Sequence, residues 1–197
     1  MKHAVDDEQD NDSEPREIAP MSHPNLWAPW RMAYLRALKS QAPEEATGGS
    51  TDFFRRYWLE PEHDVENHVV HRTELGFLVL NRYPYANGHL LAALGEAAPT
   101  LLEYDEAHRT AFWSLVEDGC RLVRHALNPQ GVNIGANIGD AAGAGVPEHL
   151  HAHVVPRWAG DTNFMTVVGS IRVAPDSLES AADLYRESIA RGALETA

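Results

Sequence analysis

The clearest pattern in the chain is a strict alternation over residues 148–156, Glu-His-Leu-His-Ala-His-Val-Val-Pro. A period of two predicts a half-buried strand. His149, His151 and His153 would then share one face, and Leu150, Ala152 and Val154 would face the core. Apolar runs bounded by turn residues predict further strands over 67–72, 76–81 and 89–94, although a helix through 90–94 fits the last run equally well. Residues 132–138 read as another strand, interrupted by Gly135, where a backbone can approach closely.

Between these strands the period changes. Leu101, Leu102 and Tyr104, then Ala111, Phe112, Leu115, Val116, Cys120, Leu122, Val123 and Ala126, recur at helical spacing. Asp105 suits the N-cap of the longer helix, and Asn128-Pro129-Gln130-Gly131 ends it. A short aromatic helix is expected over 53–59, with Arg55 and Arg56 solvated, and a polar helix over 177–191 capped at Asp176 or Ser177. Pro29, between Trp27 and Trp30, starts a short amphipathic helix. It caps the core, joins a subunit interface or edges a ligand site. Residues 41–52 read as a linker and 165–173 as short β or coil. Strands and helices do not alternate regularly, so the expected class is α+β with an antiparallel sheet rather than a doubly wound fold.

Composition narrows the setting. Residues 1–24 are polar and acidic, and are expected to form a disordered tail ahead of one domain over 25–197. The net charge of -13 argues against binding a long nucleic-acid backbone, though a local site can still take a small anion. The single cysteine, Cys120, reads as a packed core residue and excludes a cysteine-pair zinc site. No secretion signal or membrane-length apolar run is found, so no membrane partner is expected and the default location is cytoplasmic.

Residues 139–146, Gly-Asp-Ala-Ala-Gly-Ala-Gly-Val, form a small-residue loop just before the histidines. Its amides can approach an anion. Aligned imidazoles beside such a loop fit either a metal site or phosphoryl chemistry, and the loop tilts the choice toward phosphate. A second cluster lies at Asn81 and His89, on either side of a Pro-, Asn- and Gly-rich connection.

The run from His149 to Val155 resembles the signature of the histidine triad (HIT) superfamily. The resemblance extends over 27–32, 81–89 and 133–158, and is greatest to the bacterial branch carrying diadenosine tetraphosphate phosphorylases and hydrolases. It implies an antiparallel sheet of about five strands with a long helix packed on it, a C-terminal helix, and a homodimer or higher homo-oligomer. It also implies nucleotidyl transfer from a small dinucleotide substrate. His151 would be the nucleophile, His149 would orient it, and His153 would contact phosphate oxygens. Asn81 would bind ribose, His89 would line the phosphate path, and Asn137 would lie beside the phosphate. The backbone amides of Ala144 and Gly145 would stabilise the transferring group. No metal is required for the chemistry, though magnesium can accompany the polyphosphate.

Departures from the family pattern leave points open. Many relatives carry Ser near position 145, where this chain has Gly145. Some carry a CxxC zinc site where this chain has Asp52-Phe53-Phe54, so no such zinc is expected. His153 replaces the Gln of some phosphorylases, which leaves water and phosphate both open as acceptor. Tyr83, Tyr85 or Trp158 could stack on a base, with packing the expected role of each. The competing functions are nucleoside phosphoramidate hydrolysis, non-catalytic nucleotide-binding regulation, and metal-dependent hydrolysis.

Overall fold

The computed structural model describes residues 52–161 and 176–195. The acidic tail, the helix begun at Pro29, the linker up to residue 51 and the stretch 165–173 lie outside the described residues. The described residues form one antiparallel sheet with strands β1 (Val69–Arg72), β2 (Gly76–Leu80), β3 (Leu90–Leu94), β4 (Gly131–Ala136) and β5 (His151–Arg157). Its order is β1-β2-β3-β5-β4. The helices are α1 (Phe53–Leu59), α2 (Glu106–Leu127) and α3 (Leu178–Ala190). This is the expected α+β arrangement.

The sheet separates two cores. On one face Leu78, Leu80, Leu90, Ala92, Leu94, Leu150, Ala152 and Val154 pack against α2 and α3. On the other, Phe77, Val79, Leu91 and Ala93 pack against Phe54 and Tyr57 of α1. Both β2 and β3 are buried on both faces, so neither shows a polar alternation. That is why residues 90–94 read equally as helix: full burial removes the period that separates the two.

Local chemistry sets the boundaries. Asp105 caps α2 by accepting the His108 amide (2.8 Å), and Asn128 closes it in the left-handed region (φ 45°). Ser177, rather than Asp176, caps α3 by accepting the Ser180 amide. His68, also left-handed at φ 57°, delays β1 to Val69. Gly88 (φ +73°) precedes β3 and receives the Tyr185 hydroxyl on its carbonyl (2.5 Å). A side chain at Gly88 would run into Leu127 and Tyr185, so α2 and α3 close directly on the turn that delivers His89.

The histidine strand begins at His151, three residues later than the alternation from residue 148 predicts. The His149 amide donates to Val146 O (3.2 Å) and the Leu150 amide to Ala98 O (2.7 Å), so loops hold this backbone ahead of the sheet. From His151 onward β5 pairs on both sides, with His151 opposite Ala93 and His153 opposite Leu91 and Gly135.

Candidate active site

All three histidines of the motif lie on the α1 side of the sheet. The Phe54 ring is 5.2 Å from His149 and 4.7 Å from His151, and His151 is 5.2 Å from His153. Helix α1 is fastened there by Arg72 of β1. Its guanidinium pairs with Asp64 (2.6 Å) and donates to the carbonyls of Tyr57 and Trp58.

Hydrogen-bond partners assign the proton on each ring. The Tyr85 amide donates to His89 Nδ1 (3.1 Å), so that nitrogen carries a lone pair. His89 Nε2–H then donates to His153 Nδ1 (3.0 Å), and the proton of His153 sits on Nε2. That Nε2 is buried and has no partner among the described residues. A buried donor without an acceptor costs roughly 1–3 kcal/mol, which a bound anion would recover. His151 has the opposite arrangement. Its Nδ1–H donates to the His149 carbonyl (2.9 Å), leaving Nε2 with a free lone pair.

Burial keeps both rings neutral. It holds His153 down to about 4, with the neighbouring His151 adding to the effect. Burial also lowers His151, partly opposed by its bond to the His149 carbonyl. The pair thus offers one nucleophilic nitrogen and one N–H donor side by side at neutral pH.

A cavity of about 430 Å³ opens in front of this pair, lined among others by His151, His153, Asn81, Gly145, Arg56 and Arg82. Phe53, Tyr57, Tyr83 and Tyr85 add aromatic walls, so two of the three aromatics considered for base stacking face the cavity and Trp158 does not. Tyr85 also stacks on His153 (5.5 Å, 17°).

A family model described as the HIT domain matches residues 62–160. An AP-4-A phosphorylase of Mycobacterium tuberculosis is 35% identical over 84% of this chain and 84% of its own length. The chain belongs to the HIT domain family. An asymmetrical bis(5'-nucleosyl)-tetraphosphatase of Schizosaccharomyces pombe is 30% identical over 49% of this chain and 53% of its own. Among solved structures, a zinc-bound histidine triad family protein from Mycobacterium smegmatis is 27% identical with a TM-score of 0.58, covering 73% of this chain and 96% of that one.

Four residues named by the HIT resemblance are placed as follows. His89 is fully buried, contacts His153 Nδ1 through its Nε2 and is not among the residues lining the cavity. His149 is likewise fully buried, bonded to Asp52 and to Leu94 O, and its carbonyl accepts from His151 Nδ1–H. Asn137 stays outside the cavity lining and braces the loop by donating to Gly143 O (3.3 Å). The Ala144 amide closes the loop on Gly139 O (3.3 Å), so Gly145 rather than Ala144 borders the cavity. Nothing lies within 4 Å of where a Gly145 side chain would begin.

The site positions of three residues were missed by the pattern. Asp52, at the end of the linker pattern, caps α1 by accepting the Arg55 amide (3.0 Å) and sits against His149. An acidic residue just ahead of a helical run was a usable cap signal. Arg55 and Arg56 are both exposed, as expected; Arg55 also donates to Gly95 O, and Arg56 borders the cavity. Arg82 lay in the connection without an assigned role. The Asp52 carboxylate, where some relatives carry a cysteine pair, is bonded to His149 Nδ1.

Proposed function

We propose that this chain cleaves dinucleoside polyphosphates, with diadenosine tetraphosphate as its substrate, through a nucleotidyl–His151 intermediate. The observation carrying this reading is the pairing of a free lone pair on His151 with an unpartnered buried N–H on His153 in one cavity. The names of the two curated relatives support the substrate class.

His151 Nε2 attacks the α-phosphorus in line. The N–P bond forms as the bridging P–O bond breaks, and the remaining polyphosphate departs. His153 Nε2–H donates to a phosphate oxygen, where negative charge builds up. An acceptor oxygen then attacks the same phosphorus, the P–N bond breaks, and His151 recovers its lone pair. Asn81 faces the ribose, and the Gly145 amide borders the phosphate. These groups supply nucleophile and donors without a metal, and magnesium enters with the polyphosphate.

Two further assignments belong to this reading. Edge strand β4 pairs only with β5 among the described residues and exposes Ile134 (52%), with Ile138 just beyond its end also exposed (48%), which supports a homodimer built on that edge. A lone cysteine and nucleotide chemistry support residence in the cytoplasm; no described helix is long and apolar enough to cross a membrane.

Supplying diadenosine tetraphosphate with and without inorganic phosphate tests the reading. ADP plus ATP formed only with phosphate identifies a phosphorylase, and AMP plus ATP without it a hydrolase. No cleavage under either condition, with turnover of a nucleoside phosphoramidate, replaces this substrate class by the other.

A further inference from the structure

His149 is wholly buried, and its ring is held at both ends. Nδ1 lies 3.0 and 2.8 Å from the two carboxylate oxygens of Asp52. Nε2 lies 2.7 Å from the carbonyl oxygen of Leu94, the last residue of β3. A carbonyl cannot donate a hydrogen bond, and neither can an ionised carboxylate. The Arg55 amide donates to Asp52 Oδ1, so that oxygen is an acceptor. Both nitrogens of His149 therefore donate, and the ring carries two protons. The contrast with His89 and His153 is direct: each of those rings has one nitrogen that accepts.

We propose that Asp52 is a positioning residue for the nucleophile: it holds His149 as a buried imidazolium, and the clamped residue presents the carbonyl that fixes the proton of His151 on Nδ1. The line runs from the Asp52 carboxylate through the His149 ring and backbone to His151 Nδ1, and ends at the free lone pair of His151 Nε2. It rests on the reading of His151 as nucleophile. One carboxylate does two jobs, because Asp52 also starts α1, whose Phe54 covers both His149 and His151. Removing one partner of a buried ion pair leaves the other uncompensated, so the arrangement is all-or-none rather than graded.

Two further ionisable groups among the described residues feel this pair. Tyr104, beyond the turn after β3, feels the Asp52 charge, and its hydroxyl donates to Glu96 O (2.6 Å). Burial, ahead of these charges, pushes that phenol up to about 12, so it stays neutral. On β5, His151 feels both members of the pair with opposite sign: the imidazolium resists its protonation and the carboxylate favours it. The charge of one member thus opposes that of the other at the nucleophile, while the pair fixes its orientation.

Asp52→Asn tests the proposal. Asparagine keeps the cap and an acceptor for Nδ1–H but removes the charge. In the full-length protein, nitrogen NMR of the histidine rings at neutral pH is expected to show both nitrogens of His149 protonated in the native chain and one in the variant. Turnover of diadenosine tetraphosphate is expected to fall about ten- to a hundredfold in kcat, with KM little changed and partial recovery in Asp52→Glu. A native His149 with one unprotonated nitrogen overturns the ion pair without reference to turnover. Native kcat in Asp52→Asn overturns the positioning role. Absence of any nucleotidyl–His151 from an enzyme whose His149 keeps both protons overturns the functional reading and leaves the ion pair standing.

Discussion

His89 Nε2 lies 3.0 Å from His153 Nδ1, and this contact decides which nitrogen of His153 faces substrate. With His89 donating, the His153 proton is on Nε2. His89→Phe retains a buried ring but leaves His153 Nδ1 and the Tyr85 amide without their partner. His153 is then free to move its proton to Nδ1 and turn a lone pair toward the phosphate. Steady-state kinetics should show kcat reduced about ten- to a hundredfold. Denaturant titration should show a stability loss of about 1–3 kcal/mol from the stranded groups.

The two parts of this relay differed in how readily the sequence revealed them. Alternation placed His151, His153, Ala152 and Val154 on their proper faces because β5 has one helix-packed face and one lined with polar side chains. It extended the strand too early, since the loop hydrogen bonds of His149 and Leu150 leave no mark in periodicity. The motif carried Asn137 and Ala144 to the right loop but not to the right partners, because a loop's internal backbone bonds depend on its closed shape. Asp52 and His149 are 97 positions apart, and only the packing of α1 on the sheet makes them neighbours.

Low proton affinity at His153 and His151 makes a prediction about pH. The unfolded chain takes up a proton at His153 as pH falls through about 6.5, whereas the folded chain does so only near 4. Between those values the unfolded state holds more protons, so stability falls as pH falls. Above that window this contribution is fully present. The acid limb of kcat/KM should likewise lie below the ordinary histidine range, because a lowered His151 keeps its lone pair in mild acid. Thermal melts and initial rates from pH 4 to 8 test both; an acid limb at or above the ordinary value would contradict a buried neutral nucleophile.

Gly88 links the helical core to the site. Its φ of +73° strains any other L residue, and a methyl group there would meet Leu127 and lie 2.6 Å from the Tyr185 hydroxyl oxygen. Gly88→Ala should cost about 2–4 kcal/mol, combining backbone strain with overpacking. Urea unfolding measures it. Tyr185→Phe, which removes the donor to the Gly88 carbonyl, should cost about 1–2 kcal/mol.

Arg56 and Arg82 border the cavity, and neither forms an ion pair among the described residues. In a chain of net charge -13 they supply local positive potential where a polyphosphate would lie. The combined variant Arg56→Gln and Arg82→Gln should raise KM for diadenosine tetraphosphate about tenfold at low ionic strength, with kcat unchanged. The difference should shrink as salt is added, because exposed charges are screened over roughly 10 Å at 0.1 M. A KM insensitive to both substitution and salt would remove these arginines from the substrate path.

Replacement of His151 separates binding from chemistry. His151 alone combines a cavity position with an uncommitted lone pair among the histidines of the motif, since His149 is bonded at both nitrogens and His153 presents a proton. His151→Ala removes the atom that bonds to phosphorus, but Asn81, His153 and the aromatic walls remain to hold a nucleotide. Turnover should fall at least about a thousandfold, the scale seen when a covalent nucleophile is removed. AMP binding by calorimetry should stay within about tenfold of the native value, a shift of roughly 1.4 kcal/mol. The native enzyme, quenched during turnover, should carry an acid-labile nucleotidyl group that His151→Ala lacks. Native-level turnover by that variant would mean that another group attacks phosphorus, and would take the lone pair of His151 out of the reaction.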